Sequence, residues 1–281
     1  MVFRKSSKGG KTFSIGDQES VVGVTKTAGK AGQSIRPHNA LEHLRRSRLR
    51  AVIPVVAVAA GLVVLVPAKP SNSAAGKCRQ DAAPAIDWSD CQKRLLMLNG
   101  SNLDGANLSD ADFSMTDLSR SSLKGANLSK ATLVRASFAY SDLSGASFEK
   151  AEGYRSDFSS ASAEGASFVA AELQRATFGG ANLKGADFTK AELGRAIFFK
   201  AKFENVRFGK ANLSRAILHN VSFAGTADFS DAFLFLARIE GTDLSHATGL
   251  EQEQIALACG DALTKLPPGL TVPASWPCED D

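Results

Sequence analysis

The middle of the chain repeats a large apolar residue every five positions. Steps of five from Leu98 to Phe223 pass through 26 positions, and 24 of these carry Leu or Phe. Gly153 and Ala163 are the two exceptions. Two residues before most of these positions stands Ala, so the repeating unit reads A-(N/D/S/E)-(L/F)-x-x. One extra residue near Gly225 shifts the phase, and the count then resumes at Phe229, Leu234, Ile239 and Leu244.

A five-residue period excludes the two common regular structures. Five residues of an α-helix advance about 500°, which would scatter the apolar side chains around the helix. A plain strand would send successive apolar residues to opposite faces. The spacing therefore predicts a coil in which each pentapeptide forms one side, with Ala and Leu or Phe inside. Units this short must stack to bury a core.

A second period of 20 residues predicts the number of sides. Glycine recurs at this spacing from Gly105 to Gly185, and arginine does so from Arg135 to Arg215. Four pentapeptides therefore make one turn. The same spacing predicts two inner phenylalanine ladders, because turns stack about 4.8 Å apart. One ladder comprises Phe138, Phe158, Phe178 and Phe198, and the other comprises Phe148, Phe168, Phe188 and Phe208.

The repeat resembles that of the pentapeptide repeat family, as in Ala106-Asn107-Leu108-Ser109-Asp110 and Ala181-Asn182-Leu183-Lys184-Gly185. The resemblance covers residues 96–250 and implies an all-β solenoid, a right-handed quadrilateral β-helix filled by Ala and Leu or Phe. Residues 251–281 look like the capping segment of some bacterial members. Here a short helix is predicted to open at Thr248 and Gly249 and to run through Ala258, closing the end of the solenoid.

The one membrane signal is the run of 18 uncharged residues at 51–68. A bilayer-spanning helix needs roughly 20 residues, and the run follows Arg45, Arg46, Arg48 and Arg50, a cluster typical of the cytoplasmic side. We therefore expect a disordered basic cytoplasmic tail at 1–50, a single transmembrane helix at 51–68, and repeats outside the membrane. A cleaved signal peptide is the alternative, since small residues follow the run at 73–75.

All four cysteines lie beyond the apolar run and outside the repeats. If the solenoid holds its two ends apart, Cys78 pairs with Cys91 in the linker of residues 69–95, and Cys259 pairs with Cys278 in the cap. An even cysteine number outside the membrane suits an oxidising compartment. Zinc is the competing interpretation, but no CxxC pair or nearby His pair supplies the usual ligand spacing.

Two outward-facing groups are candidate contact surfaces. The first is basic, comprising the arginine column Arg135, Arg155, Arg175, Arg195 and Arg215 and the neighbouring Lys130, Lys150, Lys190 and Lys210. It can bind an anionic partner, or it can serve only in a solvated salt-bridge ladder with Glu152, Glu172 and Glu192. The second is apolar, comprising Phe233, Phe235 and Leu236. Either the C-terminal segment buries it, with Ile255 and Leu257 as neighbours, or it contacts a partner.

The sequence gives little support for catalysis. The repeats hold only His219 and His246 and no cysteine, and their acidic residues follow the repeat rather than converge on a pocket. We expect no enzyme activity, no metal site and no cofactor. The predicted function is a membrane-anchored scaffold facing the periplasm, with an unidentified protein or anionic envelope component as partner and no nucleic acid. The alternatives are a cytoplasmic topoisomerase-binding DNA mimic and a non-catalytic subunit of an envelope enzyme complex. The family resemblance also suggests homodimers through the C-terminal end.

Overall fold

The structure is a computed structural model, and it describes residues 74–219 and 221–278. The basic tail predicted at 1–50 and the transmembrane helix predicted at 51–68 lie outside the described residues. Within the described part of the chain, no helix has both the length and the apolar character needed to cross a membrane.

The described chain forms the four-sided coil that the 20-residue period predicts. Parallel bridges join residues 20 apart on all four sides, from Asp87 with Asn107 to Ile197 with Ile217. Three backbone hydrogen bonds per pentapeptide connect successive turns. Asn127 N donates to Ala106 O at 2.9 Å, Leu108 N donates to Asn127 O at 2.7 Å, and Asp110 N donates to Ser129 O at 3.0 Å.

The coil begins earlier than the predicted boundary at residue 96. Asn107 N donates to Ile86 O, so residues 86–95 of the predicted linker form two sides of the first turn. The period of Leu and Phe did not include them because Trp88 and Lys93 occupy their inward positions. Both side chains are buried, and Lys93 Nζ lies 3.5 Å from the centre of the Trp88 ring.

The predicted phenylalanine ladders fill the interior from opposite sides of the coil. Within each ladder, consecutive rings are nearly parallel, as for Phe158 and Phe178 at 4.8 Å and Phe148 and Phe168 at 4.9 Å. Between ladders the rings meet edge to face, as for Phe168 and Phe178 at 5.6 Å. Both arrangements are favourable for aromatic rings. The second ladder continues past Phe208 to Phe229 at 5.2 Å, beyond the phase shift.

Each side ends in a corner whose last residue has a positive φ. At one corner Asp110 has φ 56°, and Ala111 N donates across the turn to Leu108 O. An Asp or Asn one residue before the inward position often supports the corner with its side chain. Asp112 Oδ1, for example, accepts hydrogen bonds from Ser114 N at 2.9 Å and Ser114 Oγ at 2.6 Å.

The phase shift falls within a small parallel sheet in the order β1-β2-β3, formed by β1 (Lys202–Arg207), β2 (Ser222–Asp228) and β3 (Ala247–Thr248). Glu204 pairs with Ala224, whereas Val206 pairs with Ala227, so one residue of β2 is extra. A bulge at Gly225 and Thr226 contains it, and Thr226 N donates to Asn205 Oδ1 at 3.1 Å.

A short helix and a disulfide lie at each end of the coil. At the N-terminal end, α1 (Ala74–Lys77) precedes Cys78, whose backbone oxygen accepts a hydrogen bond from Lys93 Nζ at 2.8 Å. Burial of this ammonium group lowers the pKa of Lys93.

At the C-terminal end, α2 (Gln252–Leu257) begins four residues after Thr248, where the helix was predicted to open. Gln254 Nε2 donates to Phe229 O at 3.0 Å and to Ala232 O at 2.8 Å, and Ile255 is fully buried. Residues beyond 250 also extend the coil, since Cys259 bridges Arg238 and Lys265 bridges Asp243.

Replacing Phe168 by Ala should cost about 3 to 5 kcal/mol, because the ring is fully buried between Phe148 and Phe188. Ala163→Leu should cost less, because it restores the leucine found one turn before and one turn after, at Leu143 and Leu183. Urea unfolding of the two variants tests the ranking. Equal losses of stability would contradict it.

The ion pair that fastens the cap to the last turn predicts a pH effect. Asp243 Oδ2 lies 2.7 Å from Lys265 Nζ, and Oδ1 accepts hydrogen bonds from Ser245. The hydrogen bond from Lys265, followed by those from Ser245, holds the pKa of Asp243 well below its usual value of 3.8. A lowered folded-state pKa stabilises the protein above about pH 4, and this contribution is lost as the pH falls.

Asp243→Asn should therefore lower the Tm at pH 7 by about 1 to 3 °C, a small effect because both side chains are exposed. The difference in Tm between Asp243→Asn and the unmodified protein should shrink as the pH falls from about 5 to about 2. Asp243→Ala, which also removes the acceptor for Ser245, is the comparison. It should be less stable than Asp243→Asn both at pH 7 and at about pH 2. A deficit for Asp243→Asn that does not change with pH would argue against the ion pair.

Candidate binding surface

The structure places the predicted basic residues at the two corners that bound one side of the coil. Lysines 130, 150, 190 and 210 lie at one corner, and arginines 135, 155, 175, 195 and 215 lie at the next. All nine are exposed and have φ between 56° and 62°. We call this side, over residues 130–215, the basic face. It carries nine basic side chains and three acidic ones, Glu152, Glu172 and Glu192.

The predicted salt-bridge ladder between glutamates and arginines is not formed. The glutamates do make a column between the two basic corners, with parallel bridges joining Glu152 to Glu172 and Glu172 to Glu192. Across the described residues, however, no ion pair includes Arg135, Arg155, Arg175 or Arg195. Glu192 instead accepts a hydrogen bond from Asn212 Nδ2 at 2.8 Å. The glutamate side chains project from the flat strand, whereas the arginine side chains project from the corner, so the two columns of side chains point in different directions.

Ion pairs occur on the other sides of the coil. Lys124 lies 3.1 Å from Asp142, Arg207 lies 2.9 Å from Asp187, and Lys184 contacts Glu204 at 3.3 Å. None of the ion pairs among the described residues includes Lys130, Lys150, Lys190 or Lys210. The repeats are nearly neutral as a whole, but the excess positive charge is concentrated on the basic face.

The predicted apolar group continues this face toward the C-terminus. Phe233 and Phe235 are 48% and 42% exposed, and their rings lie parallel with centroids 6.1 Å apart. Leu236 is half-buried. Leu236 continues the arginine column, and Phe235 stands one position before it: the Phe235 backbone oxygen accepts a hydrogen bond from Arg215 N at 2.8 Å, as Ser214 O does from Arg195 N.

Burial of these phenylalanines beneath the C-terminal segment is therefore excluded in this structure. Helix α2 reaches Phe229 and Ala232 instead, at the neighbouring corner. Of the two neighbours expected from the sequence, Leu257 does lie next to Leu236, whose backbone N donates to Leu257 O at 2.7 Å, but the Leu257 side chain is 42% exposed. Ile255 is buried in the core. The basic face and the exposed apolar group form one continuous surface.

Both predicted disulfides are present. Cys78 pairs with Cys91 and Cys259 pairs with Cys278, with Cα–Cα distances of 5.5 and 5.4 Å. Each closes a short segment at one end of the coil. Nowhere in residues 74–219 and 221–278 do three or more His, Cys, Asp or Glu side chains form a group that could hold a metal ion.

Sequence reasoning missed two outward-facing isoleucines, Ile197 and Ile217. They occupy the strand position that follows the arginine corner, where earlier turns carry Asp117, Ser137, Asp157 and Thr177. The change from polar to apolar residues along this 20-residue column was readable from the sequence. That this column lies beside the arginine column follows only from the folded coil.

Searches against known proteins place this architecture. A family model described as pentapeptide repeats matches eight copies between residues 97 and 241. HetL, a pentapeptide repeat protein involved in heterocyst differentiation regulation in the cyanobacterium Nostoc sp. strain PCC 7120, is 22% identical. The match covers 71% of this chain and 89% of HetL, with a TM-score of 0.32.

QnrB1, a plasmid-mediated fluoroquinolone resistance protein, is 20% identical over 66% of this chain and 85% of its own, with a TM-score of 0.36. A pentapeptide repeat protein from the Arabidopsis thaliana thylakoid lumen is 30% identical over 40% of this chain and 66% of its own, with a TM-score of 0.20. A search of curated proteins found no match.

The family model covers more than half of the chain, and the four-sided coil has the family's five-residue unit. The chain belongs to the pentapeptide repeat family, whose fold is a right-handed β-helix.

Proposed function

We propose that this protein is a non-catalytic binding rod that presents its basic face to an anionic partner. The observation that carries the proposal is the concentration of nine exposed basic side chains on two corners of one side. Basic side chains on consecutive turns of a column stand about 4.8 Å apart, and each such pair repels by about 1 kcal/mol even in water. Ala170 interrupts the lysine column between Lys150 and Lys190. An anionic surface along the rod would relieve this repulsion at several turns at once.

A binding role also agrees with the interior. Inward side chains from Leu103 to Leu244 pack the coil along its length, and the phenylalanine ladders fill its centre. Chemistry that needs converging acid, base or nucleophilic groups would have to be built on the outer columns. There, residues repeat at fixed spacing on flat sides.

The proposed location is the outer side of a membrane. Residues 51–68 would anchor the chain, with Arg45, Arg46, Arg48 and Arg50 on the cytoplasmic side. Two disulfides suit an oxidising compartment. The partner would then be a protein or another anionic component of the cell envelope, and nucleic acid is not expected. Homodimers through the C-terminal end would place two basic faces in one particle.

Charge reversal on the basic face tests the proposal. The full chain in zwitterionic lipid nanodiscs is titrated with fluorescein-labelled poly-L-glutamate, and binding is followed by fluorescence anisotropy. Arg155→Glu with Arg175→Glu should weaken binding by at least about tenfold at low salt, and added salt should reduce the difference.

The matched control is Arg120→Glu with Lys200→Glu, at a corner outside the basic face. These residues are also exposed, have φ 55° and 59°, and give the same change in net charge. Equal loss of binding in both double variants would show attraction to net charge alone, without a role for the basic face. Unchanged binding in Arg155→Glu/Arg175→Glu would leave the arginine column without the proposed role.

Fusions after residue 281 test the proposed topology in a bacterial host. Alkaline phosphatase, which needs disulfides to be active, should be active there, whereas a fluorescent reporter that folds only in the cytoplasm should be dark. The opposite result would place the repeats inside the cell. It would overturn the envelope assignment and favour a cytoplasmic partner such as a topoisomerase.

A further inference from the structure

A cavity of about 370 Å³ lies beside the C-terminal end of the arginine column, on the side opposite the glutamates. The strand column with Ile197 and Ile217 forms one wall, and the corner column with Arg195, Arg215 and Leu236 forms the other. The Cys259–Cys278 disulfide also lines the cavity and fixes the C-terminal segment beside it.

The isoleucine wall is unusual for this coil. On the preceding turns, the same outward position carries Asp117, Ser137, Asp157 and Thr177, as expected for a solvated side. Ile197 is nevertheless 38% exposed, and Ile217 is half-buried. The core does not need these side chains, because the inward positions beside them hold the buried Phe198 and Leu218. Exposed apolar side chains grouped within a cavity indicate contact with an apolar group.

The rim of the cavity is positively charged. Arg195, Arg215 and Arg238 come from three successive turns, so three guanidinium groups line one small space. Arg238 Nε contacts Glu240 Oε1, and Arg215 and Arg238 also have other interactions, so part of this charge is offset. Among the described residues that line the cavity, none is acidic. Guanidinium groups present several donors to a carboxylate, in geometry that permits two parallel hydrogen bonds.

We propose that this cavity binds a single-chain amphipathic anion, with its carboxylate at the arginine rim and its alkyl tail against the isoleucines. The volume lies near the lower end of the range for small-molecule sites, roughly 300 to 1,000 Å³, and suits one short chain. The inference does not depend on the partner proposed for the basic face. Arg155 and Arg175 belong to that face and do not line this cavity.

The full chain in zwitterionic nanodiscs is labelled with a ten-carbon carboxylic acid that carries a diazirine on its tail. After illumination, mass spectrometry maps the labelled residues, which separates the cavity from probe dissolved in the lipid. Label should concentrate on Ile197, Ile217 and Leu236. Decanoate should compete at least about tenfold better than decanol. Octanoate should compete about tenfold less well than decanoate, because two methylene groups fewer are buried.

Two double variants distinguish the rim from the rest of the arginine column. Arg195→Gln with Arg215→Gln should reduce labelling at the cavity at least about tenfold, whereas Arg155→Gln with Arg175→Gln should leave it unchanged. Ile197→Ser with Ile217→Ser restores the polar residue type of the earlier turns and should also abolish labelling. Circular dichroism and thermal unfolding should show that both variants retain the fold, since neither change removes an inward side chain.

Residues 279–281, Glu-Asp-Asp, follow Cys278 and lie outside the described residues. Because they are tethered to a residue of the cavity, their carboxylates can compete with the probe. All measurements are therefore repeated with Glu279→Gln, Asp280→Asn and Asp281→Asn combined. Labelling that concentrates at the cavity supports the proposal, whether it is seen in the unmodified chain or in the chain with these three substitutions. Labelling spread along the rod in both backgrounds, or equal competition by decanol and decanoate, would overturn it.

Competition by a short peptide with a C-terminal leucine carboxylate, without competition by decanoate, would also overturn the proposal. That result would assign the cavity to the end of a polypeptide. Loss of poly-L-glutamate binding in Arg155→Glu/Arg175→Glu, with cavity labelling unchanged, would support both sites as separate. The two proposals can thus fail independently.

Discussion

Backbone hydrogen bonds between successive turns constrain every other feature of this protein. Each pentapeptide donates to and accepts from the pentapeptides 20 residues away, so any side chain is held one turn above an equivalent one. This pairing stacks the phenylalanine rings at 4.8 to 5.2 Å, close to the spacing of the backbones that carry them. The same pairing forces the outer residues into columns, where like charges have to lie next to each other.

The corners show how this constraint separates structure from function. A positive φ is required at every corner, where a non-glycine residue costs roughly 1 kcal/mol or more. Ala170, Asp110 and Arg175 all adopt it, with φ between 55° and 59°, so the backbone conformation itself does not indicate a binding role. The type of side chain at the corner does indicate a binding role. Lysine and arginine occupy two adjacent corners over residues 130–215, whereas Lys124 and Arg207 elsewhere on the coil form ion pairs across turns.

The ends of the rod meet a different requirement. A coil of parallel bridges would otherwise expose unpaired backbone groups and apolar side chains at its first and last turns. At the C-terminal end, the Gln254 amide donates to two backbone oxygens and Ile255 covers the core. At the other end, Lys93 replaces an inward Leu or Phe and donates to the backbone oxygen of Cys78. The indole nitrogen of Trp88 has no hydrogen-bond partner among the described residues, and Lys93 lies over its ring. The two disulfides fasten both closures.

The sequence by itself determined the architecture, because a strict period of five with inward Ala and Leu or Phe fits one packing solution. It also determined four sides per turn, the two phenylalanine ladders and the cysteine pairing, since all of these follow from spacing along a regular coil. The start of the coil at Ile86 did not follow, because Trp88 and Lys93 break the apolar pattern while still facing inward. Only the tertiary structure decided which outer residues meet. It separated the arginines from the glutamates three residues before them, left Phe233 and Phe235 uncovered, and placed Ile197 and Ile217 beside Arg195 and Arg215. These outcomes depend on the direction in which a side chain leaves a corner or a strand and on the path of the cap, and the spacing of residues along the chain specifies neither.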